Sequence, residues 1–171
     1  MLHLPMEAHH NDDPYPENYI ISSKMNVNQV ARRVNDALAS VPFAEGVNNH
    51  MGSKATENKQ LMSLIFSEIK NKNLFFVDSR VTLKTICGPL ARQTQIPFAE
   101  RDVFLDNQHD RVQIEYQFTQ LAAEARRQGY AIGIGHARSL TWTIVREQLK
   151  KLSDEGFEIV PVKALVTSQP L

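Results

Sequence analysis

The stretch Leu74-Phe75-Phe76-Val77-Asp78 decides the fold class, because a continuous apolar run ends abruptly in a carboxylate. A short run of this kind is typical of a strand that is buried on both faces, as the strands of parallel sheets are. A helical pattern precedes the run at 56–72, and a second one follows it at 85–94. A buried strand between two helices predicts one unit of a parallel sheet.

The same alternation extends towards both ends of the chain. Asn26 and Gln29 have the spacing of a capping box at the start of the first helix, and Gly129 ends the longest one. Residues 9–25 are polar and proline-rich, which predicts a loop. This order of elements predicts an α/β sheet or barrel with parallel strands. Helices are predicted at 27–41, 56–72, 85–94, 110–128 and 140–152, and strands at 46–49, 74–77, 98–104, 130–135 and 157–161.

Composition bounds the class of function. Of 171 residues, 42% are apolar and 22% charged, which is ordinary for one globular domain. The 19 basic residues balance 19 acidic ones, so the charge indicates neither a nucleic acid nor an anionic membrane as partner. No apolar run approaches the roughly 18 residues of a transmembrane helix. We expect one domain at 1–167 with a tail at 168–171, and no protein partner is predicted.

Polar side chains follow the predicted strands at a consistent place. His50, Asp78, Arg101 and His136 each come after the C-terminal end of an apolar run. Parallel barrels assemble their active sites at these ends, from the loops that follow the strands. The placement therefore predicts a polar site, although no single residue does so by its type.

Most of these residues also have a structural explanation. His136 is suited to proton transfer near neutral pH, but a histidine held by backbone hydrogen bonds also fits the pattern. Asp78 is costly to bury alone, so it pairs, caps a helix or takes part in chemistry. Arg101 and Asp102 also fit an exposed ion pair of little energetic consequence. Cys87 is the single cysteine, which excludes an internal disulfide, and its apolar surroundings favour a packed thiol over a nucleophile.

The remaining histidines are weak metal-ligand candidates by spacing alone. Neither His3 nor His50 belongs to an HExxH or CxxC arrangement, and spacing cannot demonstrate that two histidines from separate strands converge. His9, His10 and His109 lie in polar stretches, which favours solvated loop residues. By themselves, the residues predict an α/β domain with a polar site and no particular reaction.

Five blocks punctuate nearly the whole chain: His3-Leu4-Pro5-Met6-Glu7, Gly46-Val47-Asn48-Asn49-His50-Met51-Gly52-Ser53, Phe75-Phe76-Val77-Asp78-Ser79-Arg80, Arg101-Asp102-Val103-Phe104-Leu105-Asp106 and Ile132-Gly133-Ile134-Gly135-His136. In order and spacing they resemble the signature blocks of the divergent polysaccharide deacetylase family. The block that contains His50 is the most specific of them. By this resemblance, the chain is identified as a member of that family.

The resemblance implies a partial (β/α) barrel of the polysaccharide deacetylase type, with mostly parallel strands and a divalent metal, expected to be zinc. In such enzymes an aspartate and two histidines hold the metal, a metal-bound water attacks the acetyl carbonyl, and a histidine protonates the leaving amine. It implies His3 and His50 as metal ligands and His136 as general acid. Asp78 is implied either as the base or as a carboxylate that orients a histidine. The residues expected to bind substrate or to fix the orientation of the ligands are Asn49, Arg80, Arg101 and Asp106.

The chain departs from the family pattern at its start. Family members begin with an apolar strand that ends in an Asp-Asp pair, followed by a helix and a strand, before the block of His3. Here Met1-Leu2-His3 opens directly on that block, and Asp12-Asp13 follows it in a proline-flanked loop. We therefore expect the first strands and the metal-binding aspartate to be missing, and activity to belong to the complete family member rather than to this chain alone.

The expected location depends on the same point. The opening residues lack the basic and apolar regions of a signal peptide. The complete family member is expected to be periplasmic or exported. This chain is expected in the cytoplasm if its start is genuine.

Three functions fit the sequence. The first is a hydrolase that removes N- or O-acetyl groups from a cell-envelope or other polysaccharide or oligosaccharide. The second is a non-catalytic envelope polysaccharide-binding or accessory protein that retains the fold. The third is an unrelated α/β enzyme that uses Asp78 and His136 without metal. Zinc content, acetate release and sensitivity to chelators distinguish them.

Overall fold

The computed structural model describes residues 1–10 and 16–166, which divide into two units, Met1–Glu100 and Arg101–Leu165. In both units strands alternate with helices, and all strand ladders among the described residues are parallel. The predicted α/β class with mostly parallel strands is confirmed, and this order of elements is consistent with a partial (β/α) barrel. Asp12, Asp13 and the predicted tail 168–171 lie outside the described residues.

The first unit contains a sheet of four parallel strands in the order of the chain. A helix lies in each connection between neighbouring strands, as parallel pairing requires a crossover. A 3₁₀ turn at Glu17–Tyr19 lies in the predicted loop before the first helix. The strands are β1 (Leu2–Met6), β2 (Gly46–Met51), β3 (Phe75–Asp78) and β4 (Phe98–Glu100), and the helices are α1 (Val27–Ala39), α2 (Lys59–Asn71) and α3 (Cys87–Thr94).

The core of the first unit forms where the helices cover the sheet. β3 is buried along its whole length, as its apolar run predicts. The ring of Phe66 in α2 packs against that of Phe76 in β3, with centroids 5.1 Å apart. In β1, Leu4 and Met6 are buried whereas His3 is exposed. Because successive side chains of a strand point to opposite faces, His3 lies on the face opposite Leu4.

Side-chain caps set where the first two helices begin. The side chain of Asn26 accepts a hydrogen bond from the backbone of Gln29 (3.0 Å), and that of Gln29 accepts one from the backbone of Asn26 (2.9 Å), which confirms the predicted capping box. α2 begins later than the predicted residue 56. The hydroxyl of Thr56 donates to the carbonyl of Gly52 (2.8 Å) within a turn, and Asn58 is the cap of the helix.

The second unit consists of a two-stranded parallel sheet and two helices. The longer helix starts at its cap Asp110 and ends at Gly129, whose φ of +91° is the left-handed conformation that favours glycine. The core of the unit comprises Val103, Leu105, Ile114, Phe118, Ala122, Ile144 and Leu152. The elements are β5 (Val103–Phe104), α4 (Arg111–Gln128), β6 (Gly133–Ile134), α5 (Ser139–Asp154) and a 3₁₀ turn at Val162–Leu165.

Some predicted strands differ from the structure. The extended segment 98–104 divides between β4 and β5, which belong to different sheets. The predicted strand 130–135 is reduced to β6, because its ladder with β5 is only two residues long. The strand predicted at 157–161 was wrong, since the described residues contain no ladder there. Instead, beyond the left-handed Gly156, the N–H of Phe157 donates to the carbonyl of Leu152 (3.0 Å) and closes the end of α5.

Candidate active site

His3 and His50 lie on adjacent strands and contact each other. Pairing of β1 with β2 sets Pro5 opposite His50, so the two histidines are diagonal neighbours on one face of the sheet. Nε2 of His3 lies 3.0 Å from Nδ1 of His50, and the rings meet edge to face with centroids 4.9 Å apart. His50 therefore lies within β2. The sequence had predicted it to come after the end of that strand.

The His3–His50 pair fits two of the ligands of a zinc ion. Zinc–nitrogen bonds of about 2.0–2.1 Å at a tetrahedral angle place two nitrogens roughly 3.3 Å apart. The two ring nitrogens of the pair lie 3.0 Å apart, which is close to that separation. Among residues 1–10 and 16–166 there is no group of three His, Cys, Asp or Glu side chains that would hold a metal. The pair thus provides two donors, and metal binding by His3 and His50 stays a prediction.

Asn49 ties the end of β2 to the residue that follows β3. Its Oδ1 accepts a hydrogen bond from the backbone of Ser79, and the Ser79 hydroxyl donates to the Asn49 carbonyl, both at 2.8 Å. Its Nδ2 donates to the carbonyl of Met51 (2.8 Å), whose φ of +48° is strained for a residue other than glycine. Asn49 is 1% exposed. These contacts fix the ends of β2 and β3, and His50 follows Asn49 in β2. Both predicted roles of Asn49 stay predictions.

Asp78 is fully buried at the end of β3, and both carboxylate oxygens accept hydrogen bonds. The backbone N–H of Arg80 donates to Oδ1 (2.8 Å), and the hydroxyl of Thr85 donates to Oδ2 (2.6 Å). These bonds offset the cost of burying the charge and organise the loop before α3. Burial, reinforced by the Asp78 carboxylate, raises the pKa of the Cys87 thiol, which fits a packed thiol. The role of Asp78 as a base stays a prediction.

The arginines predicted to line the site have partners in their own units. The guanidinium of Arg80 lies 3.3 Å from a carboxylate oxygen of Glu100, and both side chains are partly exposed. The guanidinium of Arg101 lies over the ring of Phe104, 5.2 Å from its centroid. Asp102, beside Arg101, accepts hydrogen bonds from the side chain of α4 residue 128 (3.0 Å) and from the backbone of residue 132 (2.7 Å). Asp102 is therefore a structural carboxylate.

Asp106 and His136 form the clearest catalytic geometry. Nδ1 of His136 lies 3.0 Å from Oδ1 of Asp106, and the backbone N–H of His136 lies 3.1 Å from both carboxylate oxygens. Burial opposes ionisation of Asp106, but hydrogen bonds from the Thr141 hydroxyl and from His136 outweigh it and lower the pKa of Asp106. The His136 side chain is 50% exposed, whereas that of Asp106 is buried. A buried carboxylate that orients an exposed imidazole is an arrangement suited to proton transfer.

Asp106, which had been predicted to bind substrate or to fix the orientation of the ligands, is the carboxylate that contacts the ring of His136. Two further residues of this site were missed. The ring of Phe104 meets that of His136 edge to face, with centroids 5.4 Å apart. The hydroxyl of Thr141 donates to Oδ2 of Asp106 (2.7 Å). The only sequence signal for Thr141 is its place in the first turn of the helix that follows His136.

A second carboxylate–histidine contact lies in the first unit. Nε2 of His9 lies 3.0 Å from Oε2 of Glu57, and the hydroxyl of Thr82 donates to Oε1 (2.7 Å). The hydrogen bond from Thr82, followed by that from His9, lowers the pKa of Glu57. His9 is exposed, as predicted, but it is also paired. His10 and His109 are exposed, as expected of solvated loop residues.

Parallel strands joined by helices, with polar side chains near their ends, define an α/β protein. Residues 1–166 match the family profile described as divergent polysaccharide deacetylase. The chain belongs to the divergent polysaccharide deacetylase family. No helix among the described residues has the length and apolar content needed to cross a membrane.

The chain is similar to curated proteins of two bacteria. It is 37% identical over 131 residues to an uncharacterized protein of Haemophilus influenzae, covering 77% of this chain and 47% of that protein. It is 33% identical over 152 residues to the uncharacterized protein YibQ of Escherichia coli K12, covering 89% of this chain and 47% of YibQ. The chain therefore spans about half the length of the curated relatives it matches.

A solved structure has the same fold. The crystal structure of the uncharacterized protein ATU2773 from Agrobacterium tumefaciens C58 superposes with a TM-score of 0.92 and 23% identity. The superposition covers 96% of this chain and 67% of that one. At this identity the likeness supports the fold, and the chemistry rests on the residues of this chain.

Proposed function

We propose that this chain carries the general acid of a metal-dependent deacetylase that removes acetyl groups from a cell-envelope polysaccharide. Family membership supplies the reaction class. The observation that carries the proposal is the Asp106–His136 pair, in which a buried carboxylate holds Nδ1 of a half-exposed imidazole. Hydrolysis of an acetamide needs a proton for its leaving amine, and this pair is built to deliver one.

In the proposed reaction, His136 acts as an imidazolium with hydrogen on both ring nitrogens, donates the proton from Nε2 and is left neutral with its hydrogen on Nδ1. With Nδ1 held by Asp106, Nε2 lies on the opposite side of the ring from the carboxylate. The oxygen of a water molecule bonds to the acetyl carbon, and the water gives one proton to a general base, the role predicted for Asp78. As the carbon–nitrogen bond then breaks, the proton passes from Nε2 to the departing nitrogen, and acetate and a free amine result. For an O-acetyl substrate the same proton passes to the departing oxygen. The ring of Phe104 meets that of His136 edge to face.

We further propose that His3 and His50 provide two ligands of the metal. Their ring nitrogens, 3.0 Å apart, are near the separation of two nitrogens on one zinc ion. A zinc ion bound there would polarise the acetyl carbonyl and acidify a water molecule. Asn49, which joins the ends of β2 and β3, would keep His50 in the orientation that such binding needs. A substrate of the cell envelope would place the complete enzyme in the periplasm or outside the cell.

Acetate release tests the proposal. The protein, both alone and preceded by an upstream strand that ends in the Asp-Asp pair of the family pattern, is incubated with zinc and with N-acetylated chitooligosaccharides or peptidoglycan fragments. Acetate is measured for the unaltered sequence, His136→Ala and His109→Ala. Loss of the positioned acid is expected to lower the rate by about 10²–10⁴-fold. His109→Ala, a substitution at an exposed histidine, should leave the rate unchanged. Equal rates of acetate release for His136→Ala and an unaltered protein that is active would overturn the role of His136.

One result would favour a non-catalytic role instead. If the zinc-loaded protein binds the oligosaccharides but releases no acetate from any of them, it is a polysaccharide-binding or accessory protein that retains the family fold. If acetate release persists after chelation of all metal, the reaction proceeds without metal, and the assignment of His3 and His50 as ligands fails.

A further inference from the structure

Thr141 donates the shortest of the hydrogen bonds to Asp106. Its hydroxyl lies 2.7 Å from Oδ2, whereas the contacts of His136 with the same carboxylate are 3.0–3.1 Å long. Thr141 is 2% exposed and Asp106 is 1% exposed, so the bond is shielded from water. Hydrogen bonds to a charged group are stronger than neutral ones, and more so where solvent is excluded. This contact therefore contributes strongly to holding the carboxylate.

The two oxygens of Asp106 share the backbone N–H of His136 but have different side-chain partners. Oδ1 contacts Nδ1 of His136, and Oδ2 accepts from the hydroxyl of Thr141. A carboxylate held at both oxygens cannot rotate about its Cβ–Cγ bond without breaking one of these bonds. Rotation would carry Oδ1 away from Nδ1, so the Thr141 hydroxyl helps to fix the direction in which the His136 ring points.

Close packing fixes Thr141 in this position. It lies in the first turn of α5, and its branched side chain has restricted freedom about χ1. A Cβ atom added at Gly135 would lie 3.2 Å from Cγ2 of Thr141 and 3.5 Å from Oδ1 of Asp106. The chain that leads to His136 thus passes close to both side chains because Gly135 has none. The carboxylate, the hydroxyl and the loop form one tightly packed group.

We propose that Thr141 is a positioning residue that acts through Asp106 to keep hydrogen on Nδ1 of His136 and to direct Nε2 towards substrate. The proposal deepens the proposed function and rests on it for the consequence in turnover. Its geometric part concerns Asp106 and His136 alone and is measured without substrate.

The test compares Thr141→Val, Thr141→Ser and the control Thr143→Val. Valine keeps the branched shape of threonine but has no donor, whereas serine keeps the donor. Thr143 lies on the same helix, and its hydroxyl donates to the carbonyl of Ser139 (2.9 Å), away from Asp106. Nitrogen NMR of the His136 ring measures the tautomer, and carbon NMR of the Asp106 carboxyl measures its pKa in each variant.

In Thr141→Val the pKa of Asp106 is expected to rise by about 1–2 units, because one charge-assisted hydrogen bond is lost. The fraction of His136 with hydrogen on Nδ1 is expected to fall in the same variant. Thr141→Ser should restore both values, and Thr143→Val should leave them unchanged. A merely structural role predicts that Thr141→Val lowers the melting temperature while tautomer and carboxyl pKa stay as they were. That result would overturn the proposal.

Turnover provides an independent readout. If the unaltered chain releases acetate, Thr141→Val should lower kcat about ten-fold or more with little change in KM, since only part of the acid's roughly 10²–10⁴-fold contribution is lost. Thr141→Ser should recover most of this activity. No acetate release, either from the unaltered chain or from the chain preceded by the upstream Asp-Asp strand of the family pattern, would contradict the proposed function, and the NMR comparison would still decide the role of Thr141. Full kcat in Thr141→Val would overturn its role in catalysis.

Discussion

Replacing Asp106 with asparagine separates the charge of this residue from its shape. In the structure its carboxylate accepts hydrogen bonds from the Thr141 hydroxyl and from the backbone N–H of His136, and it contacts Nδ1 of the ring. Asparagine has one acceptor oxygen, and its amide nitrogen donates. One or two charge-assisted hydrogen bonds are lost, each worth about 1.5–3 kcal/mol. We therefore expect Asp106→Asn to lower the free energy of unfolding at pH 7 by about 2–4 kcal/mol.

The same change is expected to lower kcat by about 10²–10⁴-fold, because an amide nitrogen facing Nδ1 of His136 favours the wrong tautomer. Asp102→Asn is the matched control. Asp102 accepts hydrogen bonds at 2.7 and 3.0 Å in the same unit but makes them with residues 128 and 132. The Asp102→Asn variant should therefore have a lower free energy of unfolding and an unchanged kcat. If both variants lose turnover in proportion to stability, the effect of Asp106 is structural.

The pH dependence of the stability difference gives a second test. The pKa of Asp106 is lower in the folded chain than its ordinary value, so its charge stabilises the fold above about pH 4, where the unfolded chain is also ionised. This contribution is lost as the pH falls through the lowered pKa of the folded state. Urea unfolding at pH 7, 5 and 3 should show a difference between the unaltered chain and Asp106→Asn that shrinks towards pH 3. A difference independent of pH would refute the reasoning.

Two further experiments test the first unit. In a version of the chain that carries an upstream strand ending in the Asp-Asp pair of the family pattern, we expect about one equivalent of zinc, measured by mass spectrometry of the metal. His50→Ala should lower it to near zero because one of two nitrogen donors is lost. His10→Ala should retain the zinc, and full zinc content in His50→Ala would show that His50 is not a ligand. Cys87 should resist iodoacetamide at pH 8 in the folded chain and react after unfolding in urea, because burial and the Asp78 carboxylate raise the pKa of its thiol. Rapid labelling of the folded chain would contradict this assignment.

Elements with local signals were predicted well. The capping box of Asn26 and Gln29 and the left-handed Gly129 are set by neighbours within one helical turn, so their residue types sufficed. The strands of the second unit were not predicted well, because a strand exists only where another chain segment pairs with it. Only two residues of the apolar stretch 130–135 pair with another strand. Residues 157–161 follow the turn at Gly156, which comes after α5.

The sequence indicated candidate residues of the site but not the contacts between them. The sequence placed His3 and His50 together only by resemblance, and the diagonal contact between them depends on the register of β1 against β2. Asn49 was expected near the site, but its burial between β2 and the residue after β3 depends on how these strands pair. Register and burial arise from the whole sheet, so the residue types could indicate candidates and not their contacts.

Asp78 and Asp106 are two buried carboxylates whose hydrogen bonds reach different parts of the chain. Both follow an apolar strand and both are buried with hydrogen bonds, so residue type and burial do not separate them. The partners of Asp78 lie two and seven residues further along the chain, and its bonds organise the loop they belong to. The partners of Asp106 lie 30 and 35 residues away, on a loop and a helix, and one of them is an exposed histidine. A buried carboxylate that binds an exposed, titratable side chain from a distant part of the chain fixes the orientation of that side chain. For this reason the general acid of the proposed reaction is assigned to the pair of Asp106 and His136.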